Sequence, residues 1–123
     1  MTPRSVSKKI AKLIYSKKGE EIIVLDLRKV ANFTDYFVIA TGTSDIHVKT
    51  LKDTIIEEMG KLNILPLRTD GDKSPDWKVI DYGDIMVHLF TQEARKFYNL
   101  ENLWSDGKKV NWKGKNYKYS KKE

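Results

Sequence analysis

Two histidines, His47 and His88, and one Gly-Ser turn, Thr41-Gly42-Thr43-Ser44, are the residues of this 123-residue chain whose types could carry chemistry. A hydrolytic triad needs a nucleophile, a base and an orienting acid in register. The histidines stand far apart in the chain, with no carboxylates at ligand spacing, so the case for a triad or a metal is weak. His47 falls in the first turn of an expected helix, where an imidazole usually meets solvent. His88 alternates with Asp84, Met86 and Phe90 along an expected strand, as an ordinary strand residue or an interface residue. The turn is the sharper enzymatic feature, because backbone N–H groups between a strand and a helix can cradle an anion. It matches neither GxxxxGK[ST] nor GxGxxG. Downstream, Lys52-Asp53-Thr54 lacks the Asp-x-Asp pair that two-metal phosphoryl transfer would use. Neither catalysis nor a cofactor is therefore expected. With no cysteine, disulfide scaffolds, thiol catalysis, iron–sulfur clusters and cysteine-containing zinc sites are excluded.

A second constellation lies further along. Trp77, Asp81, Tyr82 and Asp84 place two aromatics and two carboxylates around a tight turn, which suits a protein interface of aromatic anchors bordered by acid. The same residues suit equally a turn that needs Asp and Gly for backbone reasons, with Trp77 in the core.

The elements that must position these residues can be read from periodicity. With 40% hydrophobic and 33% charged residues, the chain is expected to form one domain. Val6, Ile10, Leu13 and Ile14 predict a helix over 5–18, ended by Gly19. EIIVLDLRKV and DYFVIAT, apolar on both sides, predict central strands. Ser44 is an N-cap for a helix over about 44–61, with Val48, Leu51, Ile55, Met59 and Leu62 recurring at helical spacing. Residues 64–68 predict a short strand, and 77–81 with 84–90 an antiparallel hairpin. A last helix follows Thr91, with Ala94, Phe97 and Tyr98 on its buried side. The expected order is α-β-β-α-β-β-β-α, an α/β (α+β) domain with a mixed sheet of about five strands flanked by helices.

Net charge is +6, and its distribution says more than its sum. Residues 1–18 hold six basic side chains and no acid, and residues 105–123 hold seven lysines against Asp106 and Glu123. Residues 19–104 are left with ten basic and fifteen acidic groups, a net of −5. An acidic middle with basic ends suggests a basic partner for the domain and phosphate for the ends. No stretch approaches the roughly 18 apolar residues of a membrane span, and no transit or signal segment is evident, so a cytoplasmic protein without membrane contact is expected.

One ordered series of motifs is specific. It runs Thr34-Asp35-Tyr36-Phe37-Val38-Ile39-Ala40-Thr41-Gly42-Thr43-Ser44, His47-Val48, Trp77, Asp81-Tyr82-Gly83-Asp84, Val87-His88, Glu93-Ala94-Arg95, Phe97-Tyr98 and Leu103-Trp104. It resembles the ribosomal silencing factor family, RsfS, also called Iojap, over roughly residues 5–105. The resemblance implies a nucleotidyltransferase-like fold without known catalysis. It also implies binding to the large ribosomal subunit through large-subunit ribosomal protein fourteen. Subunit joining would be blocked sterically and translation lowered when nutrients are scarce, with a homodimer as the common free form. Carried over position by position, the family's interface maps onto Trp77, Asp81, Tyr82, Asp84, His88, Glu93 and Arg95. Residues 1–105 are thus the expected domain. Residues 106–123 are an expected basic, flexible tail whose Lys108, Lys109, Trp112, Lys113 and Lys115 could contact rRNA through phosphates and stacking. The competing readings are a phosphoryl-transfer enzyme using the Gly42-Thr43-Ser44 turn and an RNA-binding module acting through its basic ends.

Overall fold

The computed structural model describes residues 1–114. Its first helix, α1 (Pro3–Ser16), starts two residues earlier than periodicity suggests, because Thr2 and Ser5 form a reciprocal capping box and Pro3 suits the first turn. Strands β1 (Glu20–Asp26) and β2 (Tyr36–Gly42) follow, then α2 (Asp45–Gly60). Ser44 caps α2 as its sequence predicts, accepting from the His47 N–H. After β3 (Arg68–Asp70) come the hairpin strands β4 (Trp77–Asp81) and β5 (Ile85–Thr91), then α3 (Gln92–Tyr98), α4 (Leu100–Leu103) and β6 (Lys108–Lys109).

The strands form one sheet in the order β3-β4-β5-β2-β1-β6. All pairs are antiparallel except β2 with β5. A parallel pair cannot be closed by a tight turn, and α2 lies within the connection that returns the chain. Every residue of β2 is buried, as expected of a strand covered on both faces. One face carries Val24, Val38, Ala40, Val87 and Leu89 against Ile10 and Ile14 of α1 and Val48, Leu51, Ile55 and Met59 of α2. The other carries Leu25, Phe37, Ile39 and Phe90 against Ala94 and Leu100. Two short helices cannot cover a six-stranded sheet, so this second face is only partly roofed.

Several expectations give way. The sheet has six strands rather than about five, because β6 adds to the β1 edge with Asp26 opposite Lys108 and Leu25 opposite Lys109. The domain therefore does not end at 105. Val110 and Trp112 are 6% and 5% exposed and join the core under α1, the Val110 N–H donates to the Val24 carbonyl, and the Trp112 indole N–H donates to the Ile22 carbonyl at 3.2 Å. Apolar burial of two such side chains overrides the local excess of lysine. Lys115 and the rest of the expected tail lie outside the described residues. The strand expected at 64–68 occurs instead at 68–70, where pairing with β4 begins. Pro66 has no N–H to give a ladder, and Leu65 and Leu67 are exposed. On α3 the buried side is Ala94 with Arg95, while Phe97 and Tyr98 are exposed.

Candidate interaction surface

The partly roofed face builds the principal site. Strand alternation puts Trp77 and Val79 of β4 beside Phe90 and His88 of β5, with Met86 opposite Asp81 further along. Trp77 stacks on Phe90 at 4.9 Å between centroids and touches Tyr98 at 4.6 Å. Its indole N–H donates to His88 Nδ1 at 3.2 Å. At the other end, Phe33 and Trp104 meet edge-on over Phe37, which in turn meets the His88 ring at 4.5 Å. Between these clusters Val79 and Met86 stay only half-buried. Around them Phe33, Phe97, Tyr98 and Leu103 present 51%, 80%, 48% and 73% of their surfaces to solvent. Apolar side chains so concentrated beside an unroofed sheet make this face the candidate interaction surface.

Trp77 positions depend on the loop before it. Lys78, on the opposite side of β4 and buried, sends its ammonium into the carbonyls of Gly71 and Ser74 at 2.9 and 3.0 Å. Gly71, at φ +85°, passes so close to the Trp77 carbonyl that a Cβ would collide with it. The loop is thereby folded back against the strand that carries the indole.

His88 forms the floor of the surface rather than its rim, since it is 5% exposed. Because Nδ1 accepts from Trp77, Nε2 bears the proton, and among the described residues it has no hydrogen-bond partner. Burial pulls the imidazole pKa down to about 4. A group depressed from an ordinary 6.5 binds a proton less readily folded than unfolded, so stability is full above pH 6.5 and declines as pH falls toward 4. The expected loss is about 3 kcal/mol across that window. Chemical denaturation of wild type and His88→Gln between pH 7 and 4 checks this: the stability of wild type relative to the variant should be greatest near pH 7 and fall by about 3 kcal/mol toward pH 4, and a pH-independent difference would exclude protonation of His88 as the cause.

The other residues picked out in sequence do not join this cluster. Asp81, Tyr82 and Asp84 lie at the hairpin tip, the far end of β4 from Trp77. Asp81 Oδ1 accepts from the Gly83 N–H at 2.8 Å and Oδ2 pairs with Arg68, so its carboxylate serves the turn. Gly83, at φ +89°, takes the conformation that the tip demands. Tyr82 turns to the helix-covered side and packs on that core. Its hydroxyl is buried with no hydrogen-bond partner among the described residues, and its pKa is pushed up to about 12 by burial. Tyr82 and exposed Asp84 border a groove on that side lined also by Met1, Pro3 and Ile64. Glu93 is exposed in the first turn of α3. Arg95 is buried instead of offered to a partner: Nε donates to both Glu101 oxygens at 3.2 and 2.9 Å, and Nη1 to Thr41 Oγ1 at 2.9 Å. It fastens the helix that displays Phe97 and Tyr98. In the C-terminal segment Lys108 and Lys109 are exposed, whereas Trp112, expected to stack on bases, is spent in the core.

The turn at 41–44 holds its own donors. Thr43 N–H donates to His47 Nδ1 at 2.9 Å, and His47 Nε2–H donates to the Lys17 carbonyl at 2.8 Å. The Ile46 and His47 N–H groups go to Asp45 Oδ1 and Ser44 Oγ. An anion there would have to displace the chain's own acceptors. His47 thus ties α2 to the end of α1 and does not face solvent freely. Among the described residues no cluster of three or more metal-ligating side chains occurs, and no helix is long and apolar enough to cross a membrane.

Fold and surface together define a single α+β domain with a six-stranded mixed sheet, marked by one unroofed aromatic face. The chain belongs to the ribosomal silencing factor family: residues 1–123 match the family described as "Ribosomal silencing factor during starvation". It is 33% identical over 106 residues to the "Ribosomal silencing factor RsfS" of Bacillus subtilis, covering 86% of this chain and 90% of that protein. With the protein of the same name from Haemophilus influenzae it shares 36% over 88 residues, 72% and 86% of the two chains. A crystal structure of a Chromobacterium violaceum protein superposes with a TM-score of 0.82 at 29% identity, covering 90% of this chain and 92% of that one.

Proposed function

We propose that this protein silences large ribosomal subunits by seating its unroofed aromatic face on large-subunit ribosomal protein fourteen. That protein borders the face against which the small subunit docks, so occupation blocks joining sterically and lowers translation when nutrients are scarce. The observation that carries this reading is the strip of Val79 and Met86 between Trp77, Phe97 and Tyr98 on one side and Phe33, Trp104 and Leu103 on the other. Aromatic anchors in a partly desolvated patch are the groups that dominate protein interfaces. The net charge of −5 over residues 19–104 complements a basic ribosomal protein and speeds encounter. Of the residues mapped from the family, Trp77 and Glu93 would touch the partner, His88 would support the floor, and Arg95 would hold α3 in place. The protein works without catalysis, in the cytoplasm, and forms a homodimer when free of the ribosome. Cosedimentation with isolated large subunits, small subunits and naked rRNA tests the reading. At a salt concentration that suppresses phosphate contacts and hence pelleting with naked rRNA, pelleting with large subunits and not with small ones is expected. Equal pelleting with both, or Mg²⁺-dependent nucleotide transfer by the protein, would overturn it.

A further inference from the structure

The fold brings the two basic ends of the chain together on the side away from the aromatic face. Along α1, Arg4, Lys8 and Lys12 recur one turn apart, about 6 Å per step. Beside the Arg4 and Tyr15 side of the helix runs the C-terminal segment, in the same direction, while Lys12 stands on the outer side of α1, toward Glu58 of α2. Arg4 Nη1 lies 3.8 Å from Asp26 Oδ2, and Asp26 is the strand partner of Lys108. About 16 Å on, by the same helical rise, Tyr15 of α1 meets the Trp112 ring at 6.0 Å between centroids, and Lys113 Nζ sits 5.6 Å from that ring's centroid. Arg28, also on Asp26 at 2.7 Å, extends the band at the Arg4 end. Asp26 is the carboxylate that the ion pairs of this band use, and Arg28 holds its pKa down to about 2, so it stays ionised and mostly covered.

We propose that this band, Arg4, Lys8, Lys12, Arg28, Lys108 and Lys113, binds the phosphate backbone of folded RNA. Cations one helical turn apart approximate the separation of successive phosphates along a strand, and phosphate contacts need no base-reading side chain. A lipid surface fits less well. A helix lying on a membrane sinks its apolar face into the lipid, whereas Val6, Ile10 and Ile14 of α1 are already buried in the core. The surface is independent of the aromatic face. That its nucleic acid is RNA rests on the ribosomal reading.

The test is fluorescence anisotropy of a labelled 20-base-pair RNA duplex, titrated with the full-length protein at several salt concentrations. Three proteins are compared: wild type; a band variant, Lys8→Glu, Lys12→Glu and Lys108→Glu; and a control of equal charge change, Lys49→Glu, Lys73→Glu and Lys96→Glu. The band variant is expected to bind at least tenfold more weakly at 100 mM salt, with a salt slope shallower by about two to three contacts. The control is expected to lose less than threefold. Lys→Gln at the same three band positions, with unchanged melting, should give an intermediate loss and separates charge from misfolding. A Met86→Asp/Phe97→Asp protein should keep RNA affinity, so failure of the aromatic-face reading leaves this assay intact. Equal losses in band and control variants, stronger binding to a DNA duplex of the same sequence, or capture by anionic phospholipid vesicles without RNA binding would each overturn the proposal.

Discussion

Trp112→Ala is expected to lower stability by about 3 to 5 kcal/mol, the range for removing a buried tryptophan from a core. The indole is 5% exposed, packs on Tyr15, and donates to the Ile22 carbonyl. Its removal leaves a cavity under α1 and an unpaired carbonyl at the β1 edge, and takes away the weight that holds β6 in the sheet. Truncation after Ser105 should cost at least as much, because Val110 goes with it. Urea denaturation followed by tryptophan fluorescence and circular dichroism measures both. A truncated protein as stable as the full chain would show that the segment adds nothing to the fold.

Arg95→Met should cost about 3 kcal/mol, the low end for breaking a buried ion pair, because Glu101 keeps 30% of its side-chain surface in water while Arg95 keeps 4%. The Thr41 hydroxyl loses its guanidinium partner at the same time. Replacing Glu101 with Leu as well removes the orphaned carboxylate, so the double variant should recover part of the loss. Binding of the large subunit should weaken in Arg95→Met through displacement of α3, with faster amide exchange in residues 92–98 as the accompanying sign. Unchanged exchange with lost binding would instead make Arg95 a direct contact.

Much of this architecture is legible in the sequence because local rules and burial agree. Ser44 before a run of Val48, Leu51, Ile55 and Met59 leaves little choice but a capped helix, and the doubly apolar DYFVIAT becomes the fully buried β2. Trp77 illustrates a limit. The ring packs on Phe90, as the core reading expects, and also borders the open face, where its role as an interface anchor is a proposal. Phe97 and Tyr98 illustrate another: helical spacing identifies an apolar stripe but not whether the protein itself or a partner covers it. On α3 the stripe that folding buries is Ala94 and Arg95, and the aromatics are left outside. Arg95 itself could not be assigned to the interior by type, because its partners Thr41 and Glu101 are brought to it only by the tertiary fold. Val110 and Trp112 were hidden among lysines in a segment with a two-residue strand, too short to produce a period. The separation of the hairpin tip from Trp77 is a matter of strand length: Asp81 and Tyr82 sit close to Trp77 in sequence, yet alternation and extension send them to another end and another face.

Subunit joining, followed by light scattering as small subunits are mixed with preincubated large subunits, puts the central claim to its most direct test. Met86→Asp/Phe97→Asp places two carboxylates on the half-buried strip and its exposed rim, where a seated partner would have to desolvate them. Wild-type protein is expected to suppress joining. The variant, with an unchanged melt, is expected to let joining proceed and to bind isolated ribosomal protein fourteen about a hundredfold more weakly, the effect of losing interface anchors. A folded variant that still suppresses joining as fully as wild type would contradict the assignment of the aromatic face as the silencing surface.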